Sequence, residues 1–184
     1  MIPGKENPQK ALFQIAAQQG GYFTTQQAGE AGYYTRLRHY HLHSGNWERV
    51  GRGVYRLSGY PLDLRDDWIR WCLWSCNRKG EIQAVVSHTS AGLYHELADY
   101  LPAKTHLTVP PGFRRKAPAA CILHKRRLPV EDVEDLGGYR VTTPYRTLLD
   151  LKQDHGEPDQ WAQALEEAAK RGLITLKQKE SLSR

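Results

Sequence analysis

The sequence predicts an α+β protein in two parts: a front segment of helices closed by a β-hairpin, then a longer segment mixing strands and helices. Three observations lead there. Helical runs punctuated by glycine fill the chain up to Gly45. Two β-rich runs, Trp47 to Val50 and Val54 to Leu57, flank Gly51-Arg52-Gly53. Beyond Tyr60, strand-like and helix-like runs follow one another without regular βαβ alternation. The expected division is 1–60 and 61–184.

Each element has a local cause. From Pro8 to Gln19, Leu12, Ile15, Ala16 and Gln19 fall at helical spacing, and Gly20-Gly21 stop the run. Tyr22-Phe23 lead into Thr24-Thr25, where a threonine hydroxyl can cap a short helix from Gln26 to Ala31. Gly32 ends it. Thr35 can cap a third helix reaching about Ser44, ended by Gly45-Asn46. The glycine-tipped hairpin follows. Helix, helix, helix, hairpin is the order of a winged helix-turn-helix.

Ser58 to Leu64 reads as a linker. Asp63 to Asn77 reads as a helix with Trp68, Ile69, Cys72, Leu73 and Cys76 on one face, widened by Trp71 and Trp74. Ile82 to Ser87 is a buried strand and His88 to Leu97 a helix. Thr105 to Val109 and Cys121 to Lys125 are paired strands, joined by the basic, proline-rich segment from Pro110 to Pro118. Tyr139 to Thr142 adds a strand. Thr143-Pro144 starts a helix, Pro158 opens another, and Thr175 with Gln178 resembles a capping box.

Composition narrows the functional classes. The 184 residues carry a formal net charge of +6. No apolar run approaches the ~18 residues needed to span a bilayer. The start, Met1 to Lys10, lacks the apolar stretch of a signal peptide, so a cytoplasmic protein with no membrane partner is expected. Cys72, Cys76 and Cys121 are expected as reduced thiols. Up to Tyr60, seven basic residues (Lys5, Lys10, Arg36, Arg38, Arg49, Arg52, Arg56) stand against Glu6, Glu30 and Glu48. Positive charge clustered in this way suits a phosphate backbone.

The third helix carries the candidate site. Leu37 and His41, with Leu42 close by, are expected to face helices one and two. Arg36, His39, Tyr40 and His43 then point outward, with Arg38 between the faces and Thr35 at the start. Arginine can bond a guanine edge with two parallel donors, so double-stranded DNA is the expected partner. Arg49, Arg52 and Arg56, on or beside the hairpin, are expected to hold phosphates or enter the minor groove. Arg114, Arg115 and Lys116 touch nucleic acid or a partner protein, or simply decorate an exposed hairpin tip.

Several chemistries fit poorly. His39 and His43 have the spacing of half a zinc site but lack a third ligand nearby, so no metal is expected. Ser87-His88-Thr89-Ser90 has no nucleophile elbow and reads as a strand-to-helix junction with capping hydroxyls. Glu131, Asp132, Glu134 and Asp135 read as a solvated turn. No phosphate-cradling glycine loop is present. No cofactor, no catalytic residue and no enzymatic activity are expected. Two rival readings are a winged helix that only holds another protein and a metal-dependent nuclease built on the acidic turn.

Four stretches are similar to a known family: Trp47 to Tyr55, Val86 to Ala91, His106 to Pro110, and Val141 to Leu151. Together they resemble the AbiEi antitoxins of type IV, abortive-infection toxin–antitoxin systems, over about Ala11 to Leu173. The resemblance implies a winged-helix repressor domain that binds repeats in its own promoter. It also implies a C-terminal antitoxin domain countering a nucleotidyltransferase toxin. Some relatives continue into a nuclease-like domain; this chain ends near where one would begin, so that activity is not expected here.

Overall fold

Helix signals in the sequence become helices, some of them with a side-chain cap and some without. In a computed structural model, which describes residues 7–154 and 157–183, the chain is mixed α+β with two sheets. Lys5 and Glu6, counted in the front charge cluster, lie outside the described residues. Contacts divide the chain into two compact units. One is the described chain through Gln83 with Gly137–Tyr139; the other is Ala84–Leu136 with the described chain from Arg140 onward.

In the first unit α1 (Pro8–Gln18) starts at Asn7, whose side chain accepts from the Gln9 N–H at 3.0 Å. Next come β1 (Tyr22–Thr24) and α2 (Thr25–Glu30). The α2 cap is reciprocal: Gln27 N–H donates to Thr24 Oγ1 at 3.2 Å, and Thr24 N–H donates to Gln27 Oε1 at 2.8 Å. Then follow α3 (Thr35–His43), β2 (Trp47–Gly51), β3 (Val54–Leu57) and α4 (Asp66–Trp74). The sheet is antiparallel with β3 in the middle, β1 on one side and β2 on the other. Leu12, Ala16, Phe23, Ala28, Tyr33, Trp47 and Tyr55 form the core on the α1–α3 side.

Helix α4 contacts all three strands. Its approach is close enough that a Cβ on Gly20 would lie 2.9 Å from Ile69 Cδ1, and Gly20 itself has φ +60. The first unit therefore runs well past residue 60. Strand β1 was not foreseen, because three consecutive buried residues show no alternation. Thr35 is not the cap expected of it. Tyr34 occupies that position and makes no side-chain cap bond, while Thr35 is the first helical residue.

The second unit contains β4 (Val85–Val86), α5 (His88–Tyr94), β5 (Thr105–Val109) and β6 (Cys121–Lys125). A 3₁₀ turn at Val130–Asp132 leads to β7 (Val133–Asp135) and β8 (Arg140–Thr142). Helices α6 (Pro144–Gln153), α7 (Pro158–Lys170) and α8 (Leu176–Ser183) complete it. Strand order is β6-β5-β4-β8-β7. Leu97, Leu148, Leu151, Ala164, Leu165, Ala168 and Leu182 are the buried centre of the helical layer. The Thr175–Gln178 capping box forms as expected.

One connection differs from its expected form. Strands β5 and β6 run parallel, Thr105 beside Cys121 through Val109 beside Lys125. The segment from Pro110 to Ala120 is thus a crossover, not a hairpin tip, and Phe113 is buried within it. The acidic stretch is not a free turn either, since Val133–Asp135 pairs with Arg140–Thr142.

Candidate functional site

Helix α3 has no buried residue. It is held by its half-buried side. The His41 ring stacks on Trp47 with centroids 4.8 Å apart and planes at 15°, and meets Tyr33 edge-on at 5.2 Å. Asn46 Nδ2 donates to His41 Nδ1 at 3.1 Å, and Leu42 packs on the core cluster. Leu37 does not join them as expected. It is 47% exposed, because the inward stripe runs through His41 and Leu42 and leaves Leu37 at its edge.

The opposite side carries the sequence-singled residues. Arg36, His39, Tyr40 and His43 are all exposed, and their spacing of three, four and seven sets them along one stripe. Thr35 is exposed beside them. His43 Nδ1 donates to the His39 carbonyl at 2.8 Å, which fixes the last ring of the stripe. No acidic side chain occurs between Thr35 and His43. Arg38 lies between the faces, half-buried, as expected. Its guanidinium is already engaged: Nη1 donates to the Tyr33 carbonyl and Nη2 to Thr35 Oγ1, each at 3.2 Å.

The hairpin arginines divide. Arg49 and Arg52 are exposed, and Arg52 sits at the tip of a two-residue turn. Gly53, with φ +75, closes that turn, and its carbonyl accepts from the Thr25 N–H at 2.9 Å. Arg56 is the exception: expected at the surface, it is only 6% exposed. Strand β3 is central, and α4 covers the face away from Phe23 and Trp47, so alternation along the strand buries residues on both sides. Arg56 Nη2 donates to the Tyr60 carbonyl, and the guanidinium lies 5.7 Å from the Tyr22 ring centre. Its guanidinium is thus engaged inside the first unit, against the expectation of an exposed phosphate contact.

Residues 10–58 match the model of the AbiEi antitoxin family of transcriptional regulators. The match runs from α1 to the end of β3 and covers the exposed stripe and both exposed hairpin arginines. No curated protein matches. Among solved structures, the RV2827C protein from Mycobacterium tuberculosis is similar, with a TM-score of 0.56 and 15% sequence identity. That alignment covers 95% of this chain and 70% of the other. At that identity the likeness is one of fold.

Outside the AbiEi-matched segment, Arg114, Arg115 and Lys116 are exposed on the crossover beside buried Phe113. The acidic stretch is drawn into ion pairs, Asp132 with Arg146 at 3.6 Å and Asp135 with Arg140 at 3.7 Å. Ser87 does not cap α5 through its side chain. Its hydroxyl instead accepts from Thr108 Oγ1 at 2.8 Å and lies 2.9 Å from His88 Nδ1. Sequence reasoning missed a grouping here: His88, His106 and His124 come together in the second unit. The available signal was histidine on two neighbouring strands and at the junction of a third. No helix among the described residues is long and apolar enough to cross a membrane.

Proposed function

We propose that the first unit is a winged helix-turn-helix that binds duplex DNA, and that the chain is a transcriptional autorepressor serving as the antitoxin to a nucleotidyltransferase toxin. Helix α3 is the reading element, and the antitoxin role is assigned to the second unit. The observation that carries the reading is a helix with no core residue that turns Arg36, His39, Tyr40 and His43 outward and bears no acid. Its nine residues make ~14 Å of helix. A major groove ~12 Å wide accepts such a helix. Arg36 is assigned to a base edge, Arg49 and Arg52 to phosphates. The AbiEi match supports the regulatory role and covers these residues.

The test is binding of duplex from the chain's own upstream region, followed by fluorescence anisotropy across salt concentrations. Log affinity should fall linearly with log salt, by about 0.9 per neutralised phosphate. Arg36→Ala should cost ~1–3 kcal/mol on the preferred sequence and relax the preference, whereas Arg52→Ala should weaken all sequences evenly and reduce the slope by ~1. A flat salt response, or identical behaviour of the two variants, refutes the assignment.

A second reading, a module that holds another protein, is favoured by one feature. A cleft of about 900 Å³ beside α1 and α3 is lined by Leu12, Phe13, Tyr33, Leu37 and Trp47. Phe13 and Leu37 are exposed there. Toxin binding that is lost in Phe13→Glu and retained in Arg36→Ala would support it.

A further inference from the structure

Three imidazoles on three different elements converge in the second unit. His88 opens α5, His106 lies on β5 and His124 on β6. In the parallel ladder His106 stands beside Ile122 and His124 beside Thr108. The two histidines are offset by two residues and share one face of the sheet. His88 is set against them from a backbone at φ +52, a left-handed conformation that costs a residue with a side chain on the order of 1–3 kcal/mol. One ligand nitrogen from each ring lies within 4.8 Å of the other two. His106 Nδ1 and His124 Nε2 are 3.1 Å apart. Around a tetrahedral zinc ion, with bonds of ~2.0–2.1 Å, ligand nitrogens stand about 3.3–3.4 Å apart.

We propose that His88, His106 and His124 form a binding site for a divalent transition-metal ion of the zinc class, with three imidazole ligands and a fourth position open to water or an anion.

The surroundings have the features such a site needs. The ligands come from two adjacent strands and a helix start. The His106 N–H donates to Ser90 Oγ at 2.9 Å, which ties the first turn of α5 to β5. With His88 Nδ1 donating to Ser87 Oγ, its Nε2 carries the free lone pair, and Thr108 Oγ1 orients that hydroxyl in turn. A hydrogen-bonded outer partner of this kind fixes a ligand's tautomer and aim. Burial holds all three rings below the usual imidazole pKa, helped at His88 and His106 by the neighbouring His124 and at His124 by Arg126, in the neutral form that binds metal. The arginines whose fields reach His88 are paired with acids: Arg146 lies 2.6 Å from buried Asp150 and 3.6 Å from Asp132, and Arg126 lies 3.4 Å from the same Asp150. Two rearrangements are required. The 3.1 Å contact between His106 Nδ1 and His124 Nε2 is a hydrogen bond, and its proton must move off that position before both nitrogens can ligate. His88 and His124 stack with centroids 3.5 Å apart and planes at 15°, and they must splay, because a ligating lone pair lies in the plane of its ring. Three imidazoles satisfy a zinc-type ion with one position to spare; magnesium and calcium, which take oxygen ligands, do not fit.

The test uses the full, untagged chain stripped by chelator and titrated with Co²⁺ as an optical probe, then with Zn²⁺. One equivalent of Co²⁺ should give the visible absorption of a tetrahedral site, and micromolar Zn²⁺ should displace it. His106→Gln and His124→Gln should lower affinity by more than the ~10–100-fold that losing an outer partner costs, and Ser87→Ala should fall within that range. The His39→Gln, His43→Gln double variant should bind like the parent. Circular dichroism confirms that each variant is folded. Where one is not, ¹⁵N-histidine spectra of the parent decide, since Zn²⁺ should shift the three imidazoles of this cluster and leave His39 and His43 unmoved. Absence of one-to-one binding by the parent overturns the proposal. So does binding that survives the cluster variants or disappears with the α3 pair.

Discussion

His41→Ala should free the exposed helix from its unit without harming the rest of the core. Helix α3 buries no residue; beside the packing of Leu42 on the core, its attachment rests on the His41 ring, stacked on Trp47 and edge-on to Tyr33. Each aromatic pair is worth about 0.5–1.5 kcal/mol beyond its area, giving a combined loss of ~2 kcal/mol. The Asn46 bond adds little, because it is exposed. Native-state hydrogen exchange reads this locally: a loss of ~2 kcal/mol speeds exchange of the α3 amides about 30-fold, while β3 amides stay near their parent rates. His43→Ala, at an exposed position, is the control and should stay within ~0.5 kcal/mol. Equal exchange in the two variants, or acceleration spread evenly over the unit, would refute the claim that this ring anchors α3.

Arg56→Ala should destabilise by about 1.5–3 kcal/mol through loss of a buried charged hydrogen bond, whereas Arg49→Ala and Arg52→Ala stay within ~0.5 kcal/mol; urea denaturation separates them. Asp150→Asn should cost ~3–5 kcal/mol, because it leaves the buried Arg146 without its closest counter-charge; thermal melts of the second unit read it out. Stability should fall on acidification. Burial lowers the pKa of His95, whose Nε2 donates to the Thr142 carbonyl, and takes that of His88 down to about 3. The unfolded chain therefore binds more protons below its own histidine pKa. The stabilisation is full above pH ~6.5 and declines as pH drops, by ~1.4 kcal/mol per pH unit for each histidine still neutral in the fold. Melts in chelator between pH 7 and 5 should show that decline, and a flat profile would contradict the burial of these rings.

The first unit was legible because its punctuation is local. Gly20-Gly21, Gly32, Gly45 and the Gly51-Arg52-Gly53 turn bound elements whose ends depend on backbone conformations glycine adopts readily. What lay beyond reach was tertiary. Arg56 reads as a surface residue until α4 is known to cover the second face of β3. Leu37 reads as inward until His41 is seen to take the aromatic contact instead. Strand direction leaves no trace in hydrophobic alternation, so β5 and β6 could be paired but not oriented. The histidine cluster depends on that orientation, since the parallel register is what brings His106 and His124 to neighbouring positions on one face.

The exposure of the outer side of α3 has a consequence for how such a chain diversifies. Its outward positions answer to no packing constraint, so exchanges at Arg36, His39, Tyr40 and His43 each cost within ~0.5 kcal/mol of folding free energy. Descendants can reshape what this helix meets while inheriting the scaffold unaltered, and selection on specificity is uncoupled from selection on stability.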